Sequence, residues 1–282
     1  MGVDAALNDI PVNWLERGSK SPTDEYTWPA RLPDREPAPE TPVEPANRPA
    51  PQPILKPAPE LSRQVPARTE NTIRPQTPLG AGEAETEARK IARAAADLAG
   101  LERALREFSG CTLKATATNL CFYRGAARAR VMIIGEAPGR DEDLEGKPFV
   151  GRAGQLLDKM LGAIGLNEAD VHITNIVYWR PPGNRPPTPQ EALACRPFLE
   201  RQMELVGPDL IVAVGGSAAK EVLGVADAIM RLRGKWREIS TGGRTIPAMA
   251  TLHPAYLLRA PAAKQLVWLD LLSLKARLAN SV

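Results

Sequence analysis

Four short stretches of this chain hold residues whose types and spacing can do chemistry. The first, Glu136 to Phe149, follows an apolar run and combines acids (Glu136, Asp141, Glu142), backbone N–H groups and one aromatic, Phe149, which makes it the candidate floor of an active site. A ring held on a loop between glycines can stack on a planar ligand, although a lone Phe is more often core. Gly151 and Gly154 would let backbone come close to that ligand. The second stretch begins at Thr174-Asn175 and runs to Arg185. The Asn175 amide can read a base edge with one acceptor and two donors, or merely cap a loop. Arg180, Asn184 and Arg185 surround a rigid Pro-Pro-Gly turn that suits phosphate contacts or forms a solvated surface turn. In the third, Gly215-Gly216-Ser217 opens a helix, with Ser217 as N-cap and free N–H groups that could meet an anion. It lacks the spacing of a dinucleotide fingerprint or a lysine phosphate loop. In the fourth, Pro254 holds His253 in the cleft, and Tyr256, Leu257 and Leu258 form an apolar patch ahead of Arg259. Such a patch packs in a core or wedges into a base stack, filling the gap behind an extruded nucleotide. The other histidine, His172, lies inside a strand and reads as structural.

These loops must be placed by the elements before them. Apolar runs at 130–134, 171–177, 210–214 and 245–252 read as strands, separated by helical stretches at 155–164, 189–205, 218–223 and 262–278. An amphipathic helix, broken near Gly100, precedes them at 83–108. The alternation predicts a three-layer α/β/α sandwich around a four-stranded parallel sheet. Ligands of open α/β sheets bind beyond the carboxyl ends of the strands, where all four loops would lie.

Sixteen of the 28 prolines fall within the first 80 residues, so residues 1–82 are expected to be an extended, largely disordered arm. Residues 4–17 could be a short docking element for a weakly held protein partner. The first 80 residues carry 9 basic and 11 acidic side chains, and the remainder 27 and 22, a net +5 for the expected catalytic domain at 83–282. That excess suits a polyanion without identifying one. No apolar run approaches the roughly 18 residues of a membrane span and no signal-peptide core is present. The expectation is a monomer without membrane contact, in the cytoplasm beside the nucleoid. Three cysteines, Cys111, Cys121 and Cys195, argue against a disulfide framework.

Taken together, Gly135-Glu136-Ala137-Pro138-Gly139, the segment Gly146 to Gly151, Asn175, the run Arg180 to Arg185 and the run His253 to Arg259 resemble the uracil-DNA glycosylase superfamily. The nearest likeness is to its family 4, the iron-sulfur type, over about residues 98 to 280. The resemblance implies an enzyme that flips uracil out of DNA, with other deaminated bases as further candidate substrates, and hydrolyses the N-glycosidic bond to leave an abasic site. By matching positions, Phe149 would stack on the flipped base and Asn175 would bond its edge. His253 would face the carbonyl that gains negative charge. Glu136, with the backbone around Ala137, would hold or polarise the attacking water. Glu142 would lie beside C5, where bulk excludes the thymine methyl. Arg180, Asn184, Arg185, Ser217, Tyr256, Leu257, Leu258 and Arg259 would contact DNA. A non-catalytic module that recognises uracil or abasic sites is the competing reading.

The chain departs from that pattern at the cluster. Family 4 members use four cysteines, whereas the corresponding positions here are Cys111, Lys114, Trp179 and Cys195. An iron-sulfur cube normally takes four thiolates, so no cluster and no other cofactor is expected, with Cys111 and Cys195 as remnants. Trp179 would fill the space, and Lys114 would lie over its ring. A second departure is Ala137, where the best-known uracil glycosylases place an Asp. The loop after Asn175 also lacks the His by which a related branch traps its substrate, so turnover is expected.

Overall fold

The computed structural model describes residues 81–280; the proline-rich arm expected up to residue 80 and its docking element at 4–17 lie outside the described residues. In chain order the elements are α1 (Ala81–Ala94), α2 (Leu98–Glu107), β1 (Arg124–Gly125), β2 (Val131–Gly135), α3 (Arg140–Glu145), α4 (Arg152–Ala163), β3 (Val171–Asn175) and α5 (Pro189–Val206). They continue with β4 (Leu210–Val214), α6 (Gly216–Leu223), α7 (Ile229–Leu232), β5 (Trp236–Thr241), β6 (Arg244–Thr251), α8 (Pro254–Arg259) and α9 (Lys264–Asn280).

The four expected strands are parallel and form the centre of one sheet, but the sheet has six strands in the order β1-β3-β2-β4-β6-β5. The two additions are antiparallel edges. β1 is only two residues long and pairs with β3. β5 pairs with β6 through a two-residue hairpin whose Gly242 and Gly243 both have positive φ, the backbone a tight hairpin demands. The expected helix at 83–108 is two helices. The break falls at residues 95–97, because Asp97 caps α2 by accepting the Gly100 N–H at 2.7 Å, which places Gly100 inside the helix.

Strand alternation creates the layers. Met132 and Ile134 of β2, with Ile211, Ala213, Ala248 and Ala250, face Phe198, Leu199 and Met203 of α5 and Leu101 and Leu105 of α2. Val131, Ile133, Val171, Ile173 and Val212 face the other way, onto Leu157 and Leu161 of α4 and Val267, Leu271 and Leu274 of α9. Strands covered on both faces must be apolar throughout, and β2, β3 and β4 are buried along their whole length. Because β2 pairs with both β3 and β4, the chain reverses direction across the sheet at β2. The carboxyl end of that reversal is where such folds open a crevice. Among the described residues no helix is long and apolar enough to cross a membrane.

Candidate active site

The crevice is a cavity of about 490 Å³. Ten of the residues expected at the site line it: Glu136, Ala137, Glu142, Phe149, Asn175, Asn184, Arg185, His253, Tyr256 and Arg259. Register explains the convergence, since Gly135 at the end of β2 pairs directly with Asn175 at the end of β3, while His253 follows β6.

Phe149 is held by two glycines. Its φ is +57°, the left-handed region that a bulky residue rarely occupies. A Cβ on Gly154 would lie 1.6 Å from the Phe149 carbonyl oxygen, so the first turn of α4 sits against that backbone. A Cβ on Gly135 would lie 2.4 Å from both the Phe149 ring and Asn175 Oδ1. Gly154 therefore accommodates Phe149 rather than a ligand, which corrects the sequence expectation. The ring is 5% exposed and stacks on the His253 imidazole at 5.6 Å between centroids and 28° between planes.

Asn175 is 2% exposed, and its Oδ1 has no hydrogen-bond partner. A buried amide oxygen left unpaired costs about 1–3 kcal/mol, and it persists where a ligand supplies the missing donor. His253 caps α8, its Nδ1 accepting the Ala255 N–H at 3.1 Å. That bond requires Nδ1 to be unprotonated, which leaves the proton of the neutral ring on Nε2. Burial first, then the nearby Arg259 charge, push the imidazole down to about 4, so it is neutral at physiological pH. Gly215, with φ +99°, lets the β4–α6 turn approach His253: a Cβ there would lie 3.2 Å from His253 Cβ.

Several expected residues have local partners that sequence could not show. Glu142 Oε2 accepts the Gly139 N–H at 3.1 Å and Oε1 the Gly151 N–H at 3.0 Å, so one carboxylate ties the loop after β2 to the Phe149 loop. Glu136 is half-buried on the cavity wall. Arg185 pairs with Glu191 through two hydrogen bonds at 2.8 and 2.7 Å. This guanidinium, together with the Thr188 N–H, holds the Glu191 carboxyl down to about 2 despite burial. Arg180 lies outside the cavity lining and donates to Asn184 Oδ1 at 2.8 Å. Ser217 is not the N-cap of α6; Gly215 is, and Ser217 lies two residues into the helix, away from the cavity. Leu257 is 1% exposed and packs under the sheet, because α8 turns that face to α4, so it is not part of a projecting wedge. Tyr256 and Leu258 are the exposed pair, at 42% and 40%.

A model of the uracil DNA glycosylase superfamily matches residues 122–272, more than half of the chain and the whole region that builds the cavity. The chain belongs to that superfamily. It is 43% identical over 159 residues to a type-4 uracil-DNA glycosylase of Archaeoglobus fulgidus, covering 55% of this chain and 80% of the relative. A type-4 enzyme of Thermotoga maritima is 42% identical over 156 residues, with the same coverage. One from Saccharolobus solfataricus is 38% identical over 181 residues, covering 62% of this chain and 84% of the relative.

Within this uracil DNA glycosylase fold, the cluster positions do not fit an iron-sulfur cube. Cys111 and Cys195 stand with sulfurs 3.9 Å apart, both buried. Lys114 does not lie over Trp179; its Nζ donates to the Arg106 and Phe108 carbonyls at the end of α2. Its ammonium thus satisfies carbonyls that the helix end at the C-cap Phe108 leaves open. Trp179 is buried, edge-on to Tyr178. The remaining thiol, Cys121, donates to the Glu142 carbonyl at 3.1 Å, on the α3 side of the segment. Among the described residues no three His, Cys, Asp or Glu side chains are grouped to hold a metal.

Proposed function

We propose that this chain removes uracil from DNA by hydrolysing the bond between base and sugar, and that it extrudes the base to do so. The unpaired Asn175 Oδ1, buried beside Phe149 in the cavity, is the observation that carries the reading. Uracil presents N3–H as donor and O4 as acceptor, so the Asn175 amide satisfies both and is itself satisfied. Cytosine reverses the pattern and would leave two buried groups unpaired, a discrimination of about 10⁴-fold. Phe149, fixed by Gly135 and Gly154, supplies the stacking face for the extruded base.

Bond breaking leaves positive charge on the sugar and negative charge on uracil. The Nε2–H of neutral His253 donates to the base carbonyl as that charge develops, a contribution of roughly 3 to 4 kcal/mol for one well-placed donor. Glu136 orients the water that adds to the sugar, and with alanine at 137 the loop works by placement rather than by a second carboxylate. Glu142 braces the loop rim beside C5 of the base. Tyr256 and Leu258 press into the stack as the nucleotide leaves, while Arg180, Asn184, Arg185 and Arg259 face the phosphates.

The chain does this without a cluster: Trp179 occupies one cluster position and Lys114, spent on α2, another. Iron and sulfide analysis of anaerobically purified protein checks this, since four iron per chain would refute it. The activity is tested with a uracil-containing oligonucleotide and alkaline cleavage of abasic sites. Alkali-dependent strand scission after wild-type treatment, abolished in Asn175→Ala and reduced in His253→Ala, is expected. An uncut wild-type product would leave the non-catalytic recognition module as the reading.

A further inference from the structure

A second concavity, about 250 Å³, lies behind the active site between α4, α8 and α9. Leu257, Val267 and Leu271 form its floor, Met160 and Trp268 its walls. Trp268 is 43% exposed, and Leu272, one turn further along α9, is 40% exposed, so apolar surface continues out of the groove. An apolar groove that continues onto an exposed helix face and is rimmed by charge is a candidate interaction surface.

The rim decides what fits. Lys159 and Lys264 stand on the two sides of the groove, both exposed, and no acid lines it. Neither lysine pairs with a carboxylate among the described residues. The acids nearest in sequence are taken: Asp158 by Arg124 at 2.5 Å, and buried Asp270 by Arg233 at 2.6 Å and Thr251 at 2.6 Å. We propose that this groove docks a short amphipathic helix of a partner protein, with leucine or aromatic side chains against Met160 and Trp268 and acidic residues against Lys159 and Lys264. The groove runs along about two turns of α4 and two of α9, room for a helix of about eight residues at 1.5 Å rise. A second copy of this chain fits less well, because a two-fold contact would bring the lysine rims together. Nucleic acid would use the lysines but leave the Met160 and Trp268 walls in water.

The test uses the full chain and a fluorescein-labelled acidic amphipathic peptide with leucines at helical spacing and glutamates elsewhere, read by anisotropy. Saturable binding is expected, weakened about tenfold or more by Met160→Glu and by the double change Lys159→Glu with Lys264→Glu, and weakened by added salt. Uracil release by both variants should match the wild type, showing that they fold. The proposal is overturned by absent binding, by binding that neither variant weakens, or by equal binding of the same peptide with lysines in place of glutamates. Displacement of the peptide by uracil-free duplex DNA would equally overturn it. So would self-association in sedimentation velocity that Met160→Glu abolishes, since the face would then belong to a dimer.

Discussion

Among the described residues, the two histidines and the two buried side-chain amides, Asn175 and Gln202, make pairs that invite comparison. His172 is fully buried; its Nδ1 meets the Ala126 carbonyl at 2.7 Å, its Nε2 meets Gln202 Nε2 at 2.9 Å, and Tyr123 stacks on its ring at 4.5 Å. Gln202 in turn accepts from the Tyr178 hydroxyl at 2.9 Å. In this group each polar atom is consumed by a neighbour. His253, half-buried, and Asn175 both line the cavity; Asn175 Oδ1 has no hydrogen-bond partner, and the one hydrogen bond of the His253 ring is at Nδ1. Burial pushes both imidazoles down to about 4. A depressed pKa therefore does not distinguish the histidine proposed to work on substrate from the structural one. The unspent hydrogen bond does, because folding has not used it and substrate can.

The largest effect should come from the amides. Asn175→Ala is expected to lower uracil release about 10³-fold or more while leaving the denaturation midpoint unchanged or raised, since an unpaired group is removed. Gln202→Ala should do the reverse, costing about 1–3 kcal/mol of stability with kcat intact. Equal loss of activity in both would break the comparison. Next, His253→Ala should slow turnover about 10² to 10³-fold, where His172→Ala acts on stability alone; steady-state kinetics beside urea melts separates them.

Gly154→Ala comes third. Its methyl displaces the Phe149 backbone, and a shift of about 1 Å in a positioning group costs on the order of 10²-fold in rate. Wild-type kcat in this variant would mean that the Phe149 clamp is dispensable. Smallest is the pH effect. His253 remains neutral until about pH 4, so the acid limb of the rate profile that it controls should lie near 4 rather than 6.5. For stability, each histidine binds its proton at lower pH in the native state than in the unfolded one. Their contribution is complete above the unfolded value near 6.5 and is lost as pH falls from there toward 4. Urea midpoints measured across that window check the sign.

Much of this was written in the order of residues, and some was not. Apolar runs separated by helical stretches located the four parallel strands, since a strand covered on both faces has no polar period to disguise it. The edges escaped for opposite reasons. Arg124–Gly125 is too short to show a pattern, whereas Trp236–Thr241 is half exposed and only its Gly242-Gly243 turn marks it in the sequence. At the site, residue types at strand ends marked Glu136, Asn175 and His253 as candidates and the glycine-flanked loop marked Phe149, but the residues alone left a core role for Phe149 and a capping role for Asn175 open. The hidden part is which polar atoms the fold already spends. Glu142 on two backbone N–H groups, Arg185 on Glu191 and Lys114 on the end of α2 are pairings across loops, fixed by three-dimensional closure and not by spacing.

The sheet order has a consequence for how the molecule comes into being. Asn175 stands at the end of β3 and His253 just beyond β6, with β2 and β4 lying between those two strands in the sheet. No chain growing from its amino end holds both until β6 has joined β4, a contact between distant positions that pays a large loop-closure cost before it gains anything. A partly folded or half-synthesised chain thus carries Asn175, the amide proposed to read the base, without His253, the imidazole proposed to stabilise its charge. On the proposed mechanism it cannot release a base until nearly all of it has folded.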